Sequence, residues 1–598
     1  MPKRERVADY VINRLIEYGV DHFFLLVGGN VMYLDDAIRV SEVPFTAFHS
    51  EQAATMAAEA YARITGRLAC VVVTSGPGAT NVVTGVAGAF YDSVPLLVIC
   101  GNSKSSDLHN SKMPSGVRQV GTFELPIHEV CQPITKYSEL VSSVNDVVEI
   151  LESAIVASLS SRPGPVVISF PLDIQGAEIT FADTSHTLKT SESFQNQDVE
   201  LDDLLFFVSE LKQSSRPSVL VGHGVRASNS ATQMLNLLRK LNIPIFTTQL
   251  AKDFVPYNDE LFIGHVGVRG DRPGNIGIHN SDFILCVGTS LHQQNIGYEA
   301  SLFVPNAKKF ILEIEGSVSG KKLPINAHYI PGCIESFVKS FESMNLDYMN
   351  SNNSWLIELR ELKDKLAVSK EPHDYATEAI NLYEFVDALS ASLNGTEIII
   401  TDAGLCFYVM GQAFKLKSGQ RYIVSGGLGS MGYALPAAIG ASLNVNRQVI
   451  AVTGDGSMQM NVQELATLGL LGKNAKVFVI NNGGYASLRN TQRSFFGPEY
   501  IGTSETSGLT MPDWRLISSA YGIEYRSISR ASQLKEMLKE ITDSSKTQLI
   551  EVFCQYEQVV MPGVGNYKDD SGKLRSDPLF EMKPKLSSAP DDSNLILN

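Results

Sequence analysis

The chain has 598 residues, 44% hydrophobic and 8% aromatic, with 64 acidic against 49 basic side chains and a formal net charge of −15. That length holds three or four domains of ordinary size, each able to bury a core. The acidic balance, with no basic cluster to override it, argues against a nucleic-acid groove or an anionic membrane surface and leaves a small molecule as the expected partner.

Seven cysteines are scattered without CxxC spacing, mostly in apolar strand-like runs. They read as buried thiols of a reducing compartment, not as a disulfide framework or a structural metal site. The first ten residues lack an apolar signal core and carry Glu5 and Asp9, which disfavour a transit peptide, and no run of about 18 apolar residues occurs. A cytoplasmic protein without a membrane span is expected.

Residues 7–18 have helical periodicity, 22–27 form a short apolar strand, and Gly28-Gly29-Asn30 turns into a further helix, so the chain opens as an α/β domain. A strand at 45–49 delivers Glu51 to the start of an Ala-rich helix over 52–64, where the helix dipole favours a carboxylate. Arg162-Pro163-Gly164 and a strand reaching Pro171 close this domain, and the polar run 183–200 reads as a linker. A strand at 217–221 then meets the turn Gly222-His223-Gly224, followed by 244–248, the run from Gly267 to Asn275, and a strand at 284–289. Strands ending in glycine turns suit a doubly wound nucleotide-binding sheet. The charged, helical stretch 340–374, broken at 350–354, connects to a third domain that starts near Leu382. There a strand at 397–401 leads into Asp402-Ala403-Gly404, and Ser425-Gly426-Gly427-Leu428-Gly429-Ser430-Met431-Gly432-Tyr433 precedes a helix at 434–441.

The rest of the chain is organised around Gly454-Asp455-Gly456-Ser457, which ends the β-branched run 448–453, and Asn482, 27 positions after the aspartate in Asn481-Asn482-Gly483-Gly484-Tyr485. Apolar residues at helical spacing over 461–472 and a strand at 475–480 put the two groups at the carboxyl ends of adjacent parallel strands, where open α/β sheets bind ligands. The ligands on offer are all oxygens: the Asp455 carboxylate, the Asn482 side-chain amide and a backbone carbonyl, best Gly484. That set suits Mg²⁺ or Ca²⁺, and the flanking glycines let backbone amides approach a diphosphate.

This arrangement resembles the diphosphate–Mg²⁺ motif of thiamine-diphosphate (ThDP) enzymes. The passages His49-Ser50-Glu51-Gln52-Ala53-Ala54, Glu59-Ala60-Tyr61-Ala62-Arg63 and Thr74-Ser75-Gly76-Pro77-Gly78-Ala79-Thr80-Asn81 look like the pyrimidine-binding domain of the acetolactate synthase branch. The resemblance, over about residues 5–560, implies an α/β fold of three doubly wound parallel-sheet domains: pyrimidine-binding at 1–182, central at 195–345 and diphosphate-binding at 375–560, with 561–598 as a lid or tail. It implies that Glu51 activates ThDP by sharing a proton with a ring nitrogen of the aminopyrimidine. It further implies that Asp455, Asn482 and Gly484 hold Mg²⁺, and that Gly404, Gly429, Met431, Gly454, Gly456, Ser457 and Tyr485 line the cofactor, Gly429 by its carbonyl and Met431 as a wedge. The central domain is expected to hold FAD near Gly222, Gly224, Arg269, Gly288 and Thr289, with Glu313 or Glu315 where the family usually has aspartate. A homodimer or homotetramer follows, because in the family the glutamate and the diphosphate anchor come from different subunits.

The substrate side departs from the synthases. Thr491 stands where they carry a tryptophan, Thr122-Phe123 where they carry Phe-Gln, Leu172 where they carry lysine, and Leu488 where simple pyruvate decarboxylases carry a proton-donating glutamate. The acceptor pocket, with Phe123 and Thr491 in it, is expected to be more open or more polar. The expected activity is therefore a ThDP- and Mg²⁺-dependent decarboxylating carboligase that transfers a two-carbon unit from a 2-oxo acid, pyruvate by preference, to a carbonyl acceptor such as a keto-sugar. A true acetolactate synthase and a non-catalytic ThDP-fold subunit are the alternatives. A Rossmann dehydrogenase, suggested by Gly427-Leu428-Gly429-Ser430-Met431-Gly432, leaves Gly454, Asn482 and Glu51 unexplained.

Overall fold

The computed structural model describes residues 4–108, 116–180, 198–315, 325–344, 353–375 and 378–586. Most of the expected linker at 183–200, most of the break at 350–354 and the chain after 586 lie outside the described residues. Among those described, the chain builds three six-stranded sheets, every strand pair in them parallel.

The N-terminal sheet runs in the order Phe45–Ala47, Phe23–Leu26, Ala69–Val73, Leu96–Asn102, Pro165–Pro171, Tyr137–Leu140. The central one runs Phe262–His265, Ile245–Thr247, Pro217–Val221, Phe283–Val287, Lys308–Glu313, His328–Pro331. The C-terminal sheet repeats the topology of the first: Arg421–Ile423, Ile398–Thr401, Val449–Gly454, Ala475–Asn481, Gln548–Phe553, Glu524–Ile528. The inner strands are near-continuous apolar runs because helices cover both faces of each sheet, as in Ala69–Val73 and Phe283–Val287, buried throughout. In every sheet the order reverses between two strands, and the crevice at their carboxyl ends is the natural ligand site. In the C-terminal sheet those strands are Ile398–Thr401 and Val449–Gly454.

The N- and C-terminal domains share one core. Helix Glu51–Thr65 lies on helix Ala434–Ser442, and both faces are small: Ala53, Ala54, Ala57, Ala437, Ala438 and Ala441 are buried. A Cβ added at Gly440 would sit 1.9 Å from the Ala57 carbonyl oxygen, so only glycine permits this approach. Polar links seal the seam: Tyr433 donates to Glu59, Arg63 pairs with Glu59 and Asp92, and Asp92 accepts from the amides of Gly426 and Gly427 at 3.1 and 2.8 Å.

Two expected elements differ. The helix over 461–472 is confined to Leu465–Leu471, preceded by 3₁₀ turns at Gln459–Glu464. Asn461 leaves helical geometry (φ −135°, ψ 26°) and uses its side-chain amide on the Gly432 carbonyl at 2.8 Å, a tertiary contact that periodicity does not report. Residues 563–586, in the expected lid or tail, form two small hairpins, Gly563–Val564 with Met582–Lys583 and Asn566–Lys568 with Leu574–Ser576. Val564, Leu579 and Met582 are buried in the central-domain core, and the buried Arg272 donates to the carbonyls of Met582 and Pro584.

Candidate cofactor site

Strand Val449–Gly454 pairs with Ala475–Asn481 through Gly454 opposite Ile480, so Asp455 and Asn482 emerge at the same sheet edge. Asp455 is fully buried; its carboxylate accepts the amides of Gly456 at 2.7 Å and Gly484 at 2.9 Å. Burial pushes its pKa up to about 6, against the pull of those amides. Beside it the side-chain oxygen of Asn482 is buried with no hydrogen-bond partner. A buried amide oxygen without a donor is costly unless something else fills its lone pairs. A hard divalent cation fits that role, with a carboxylate, an amide oxygen and a nearby carbonyl as ligands.

The glycines around the aspartate are not equivalent. A Cβ at Gly456 would lie 2.1 Å from the Tyr485 ring, so Gly456 is required by protein packing. A Cβ at Gly454 would meet nothing within 4 Å, and its backbone is ordinary extended chain (φ −76°, ψ 154°). Gly454 thus fronts open space. Ser457 is buried in the short helix Asp455–Met458.

The opposite wall of the crevice comes from 402–404 and 425–432. Asp402, buried, accepts from Ala403, Gly432 and Ala434 amides and from the Thr453 hydroxyl at 2.8 to 3.2 Å, tying this loop to the strand that carries Asp455. Gly404 and Gly429 both have φ +71°, which favours glycine. Gly429 is exposed and Met431 half-buried. A cavity of about 260 Å³ opens here between Gly404, Gly427 and Gly429 on one side and Gln249, Arg269 and Asn295 of the central domain on the other.

Glu51 begins its helix and is buried; Asn81 donates to one carboxylate oxygen at 2.9 Å, and the other lies 3.3 Å from where a Cβ at Gly78 would be. Phe123, at φ +61° and 61% exposed, covers Gly76 of the same turn. Thr491 is exposed on helix Ala486–Phe496, beyond the Asn482 turn. Among the described residues no hydrogen bond links Glu51 or Asn81 to the 455–485 turns. Phe123 thus lies by the 76–78 turn that faces Glu51, and Thr491 on the helix that follows the Asn482 turn.

In the central domain the expected flavin glycines touch one another. A Cβ at Gly222 would lie 2.3 Å from the Gly288 carbonyl oxygen and 2.5 Å from the Thr289 Cβ, and one at Gly224 would lie 2.7 Å from the Gly288 Cα. Next to them a cavity of about 130 Å³ is lined by Gly224, Gly288, Thr289 and Glu313 at the switch point of the sheet. Thr248, Leu250, His292 and Asn295 line both this cavity and the one at Gly404 and Gly429, so the two adjoin. Arg269 stands apart from the glycines, its guanidinium against Gly563 and 5.6 Å from the Tyr408 ring. The Glu313 carboxylate accepts its neighbours' amides, at Ile314 and Glu315, and burial raises its pKa; Glu315 pairs with Arg162 at 3.3 Å.

One residue central to this architecture carries no local sequence signal: Arg489, in the polar run Ala486-Ser487-Leu488-Arg489-Asn490-Thr491, has the surroundings of a solvated helix position, yet it is 1% exposed.

The chain matches the thiamine pyrophosphate enzyme family in three parts: the N-terminal TPP binding domain over residues 5–124, the central domain over 206–339 and the C-terminal TPP binding domain over 402–552. It is 32% identical to the acetolactate synthase large subunit of Lactococcus lactis over 560 residues, covering 93% of each chain. It is 30% identical to the chloroplastic acetolactate synthase 3 of Brassica napus, covering 94% of this chain and 86% of that one, and 30% identical to the acetolactate synthase large subunit of Parasynechococcus marenigrum, covering 94% and 90%.

Proposed function

The chain belongs to the thiamine pyrophosphate enzymes, as an acetolactate synthase-like member that forms carbon–carbon bonds, and from that premise we propose a ThDP- and Mg²⁺-dependent decarboxylating carboligase. It takes a two-carbon unit from a 2-oxo acid, pyruvate by preference, and adds it to a carbonyl acceptor, a keto-sugar. The observation that carries the cofactor half of this reading is the buried Asn482 oxygen without a partner beside the buried Asp455 carboxylate.

When bound, ThDP supplies the carbanion-stabilising chemistry; the protein supplies orientation and proton placement. Asp455, Asn482 and the Gly484 carbonyl hold the cation. Gly404, Gly454, Gly456, Ser457 and Tyr485 shape the diphosphate side, and Gly429 and Met431 the ring side. Glu51, oriented by Asn81, holds a proton toward the aminopyrimidine. FAD would occupy the adjoining cavities lined by Glu313, Gly224, Gly288 and Thr289 on one side and by Arg269 on the other, with Gly222 in the turn behind them. Domains at 1–182, 195–345 and 375–560, with 561–598 as a covering segment, carry these parts. This reading includes a homodimer or homotetramer, as the family resemblance implies, in which one subunit's Glu51 serves its partner. Seven unpaired, buried cysteines support a cytoplasmic setting; among the described residues no helix is long and apolar enough to cross a membrane.

Thr491, exposed where the synthases carry a tryptophan, supports an acceptor larger than pyruvate, and Leu488, also exposed, stands where simple pyruvate decarboxylases carry a proton-donating glutamate and so disfavours release of a free aldehyde. The relatives' names favour a second reading, condensation of two pyruvates. Incubation with ThDP, Mg²⁺, FAD and pyruvate, with and without a keto-sugar, separates them by carbon dioxide release and product mass. Turnover that needs the keto-sugar and yields its two-carbon branched product is expected; abundant acetolactate from pyruvate alone overturns the acceptor and leaves the second reading.

A further inference from the structure

Arg489 is a large cation buried against the candidate metal turn; among the described residues it forms no ion pair, although the Asp455 and Glu557 carboxylates lie near enough to favour its charge. Its guanidinium donates instead to four backbone carbonyls: Asn482 at 2.7 Å, Gly483 at 3.2 Å, Thr503 at 3.1 Å and Tyr556 at 2.8 Å. The Tyr556 ring lies 3.8 Å from its Cζ. The turn is closed from the other side as well: Tyr485 donates its amide to the Thr503 carbonyl at 2.9 Å, and a Cβ at Gly484 would lie 2.3 Å from that same oxygen.

A buried guanidinium normally sits with an acid, because desolvating a charge without a counter-charge is costly. Its planar fork can satisfy several carbonyls in fixed directions, which a flexible ammonium cannot. The carbonyls it binds include that of Asn482 itself, so the backbone on both sides of the amide is held while the side-chain oxygen stays free and buried. The geometry points to Arg489 as a positioning residue that sets the Asn482–Gly484 turn for cation binding: by engaging the Asn482 and Gly483 carbonyls it leaves to the ion the Asn482 amide oxygen and the second lone pair of the Gly484 carbonyl, which accepts the Ala486 amide at 3.0 Å. The same helix is held to the start of the C-terminal segment by Asn490, which donates to Gln558 at 2.7 Å, and by Arg493, which pairs with Glu557. Arg489 thereby joins the metal turn, the helix that presents Leu488 and Thr491, and residue 556 into one unit. This inference rests on the metal site of the proposed function.

The test uses the full-length protein, stripped with EDTA and reloaded with ThDP, and reads free Mn²⁺ by electron paramagnetic resonance. Arg489→Met and Arg489→Lys are each expected to weaken Mn²⁺ binding about 10- to 100-fold, the scale for losing a group that orients a ligand, and to recover turnover as Mg²⁺ is raised. Arg489→Lys, which keeps the charge and loses the fork, carries the test should Arg489→Met fail to fold. Wild-type Mn²⁺ affinity in a folded Arg489→Lys protein overturns the inference alone. A wild-type protein that binds no Mn²⁺ with ThDP present overturns the metal site and this inference together.

Discussion

The chain presents two glycine-lined switch points with different meanings. In the central domain Gly222 and Gly224 are glycines because Gly288 and Thr289 occupy the space a side chain would need. At the C-terminal sheet Gly454 has no such neighbour, and Asn482 keeps a buried oxygen with nothing to bind. A motif that protein packing accounts for says little about a ligand; one that packing leaves unexplained points outward to one.

The largest expected effect tests the outward-facing chemistry. Glu51→Gln removes the shared proton while keeping the shape and the Asn81 hydrogen bond, and is expected to lower turnover by about 10²- to 10⁴-fold with ThDP binding retained. Titrating ThDP and measuring the rate separates the two, and undiminished turnover removes Glu51 from the mechanism. Next comes the cation: Asn482→Ala, or EDTA treatment of the wild type, is expected to abolish Mg²⁺-supported activity, with added Mg²⁺ restoring the treated wild type only. Full activity in EDTA would break the assignment of the 455–484 turn.

The comparison itself is tested by two glycine substitutions. Gly224→Ala forces backbone apart and is expected to cost about 1–3 kcal/mol whatever flavin is present, read as a lower Tm. Gly454→Ala enters open space and is expected to stay within about 0.5 kcal/mol in stability while weakening ThDP about tenfold, the equivalent of about 1.4 kcal/mol. Equal Tm losses for the two would dissolve the distinction.

The smallest effect concerns a second orphaned atom. His22 is buried at the amino end of its strand, its Nε2 2.9 Å from the Thr46 hydroxyl and its Nδ1 without a partner, and burial lowers its pKa to about 4. Between the unfolded value of about 6.5 and that folded value, the unfolded chain binds a proton that the folded one refuses. Stability should therefore fall on acidification through this window by up to about 1.4 kcal/mol per pH unit from this group. Urea midpoints of wild type and His22→Phe at pH 7, 6 and 5 check this, and identical slopes would refute it. An orphan at the amino end bears on stability; one at the carboxyl end, by Asn482, bears on a ligand.

What the residues determined by themselves was local and periodic. Apolar β-branched runs placed parallel strands, alanine-rich stretches placed helices, and the spacing from Asp455 to Asn482 put two oxygen-bearing side chains at one sheet edge, because a strand–helix–strand unit returns the chain to the same edge. Only tertiary structure decided what depends on distant partners. Asn461 breaks its helix to reach Gly432, Val564, Leu579 and Met582 pack into the core of the central domain, and Arg489 sits in a polar stretch yet is buried by Thr503 and Tyr556. The Gly222 and Gly224 turns look in sequence like the Gly454 turn, and only the position of Gly288 tells them apart. Periodicity reports which face a side chain takes; it is silent on which remote backbone arrives to meet it.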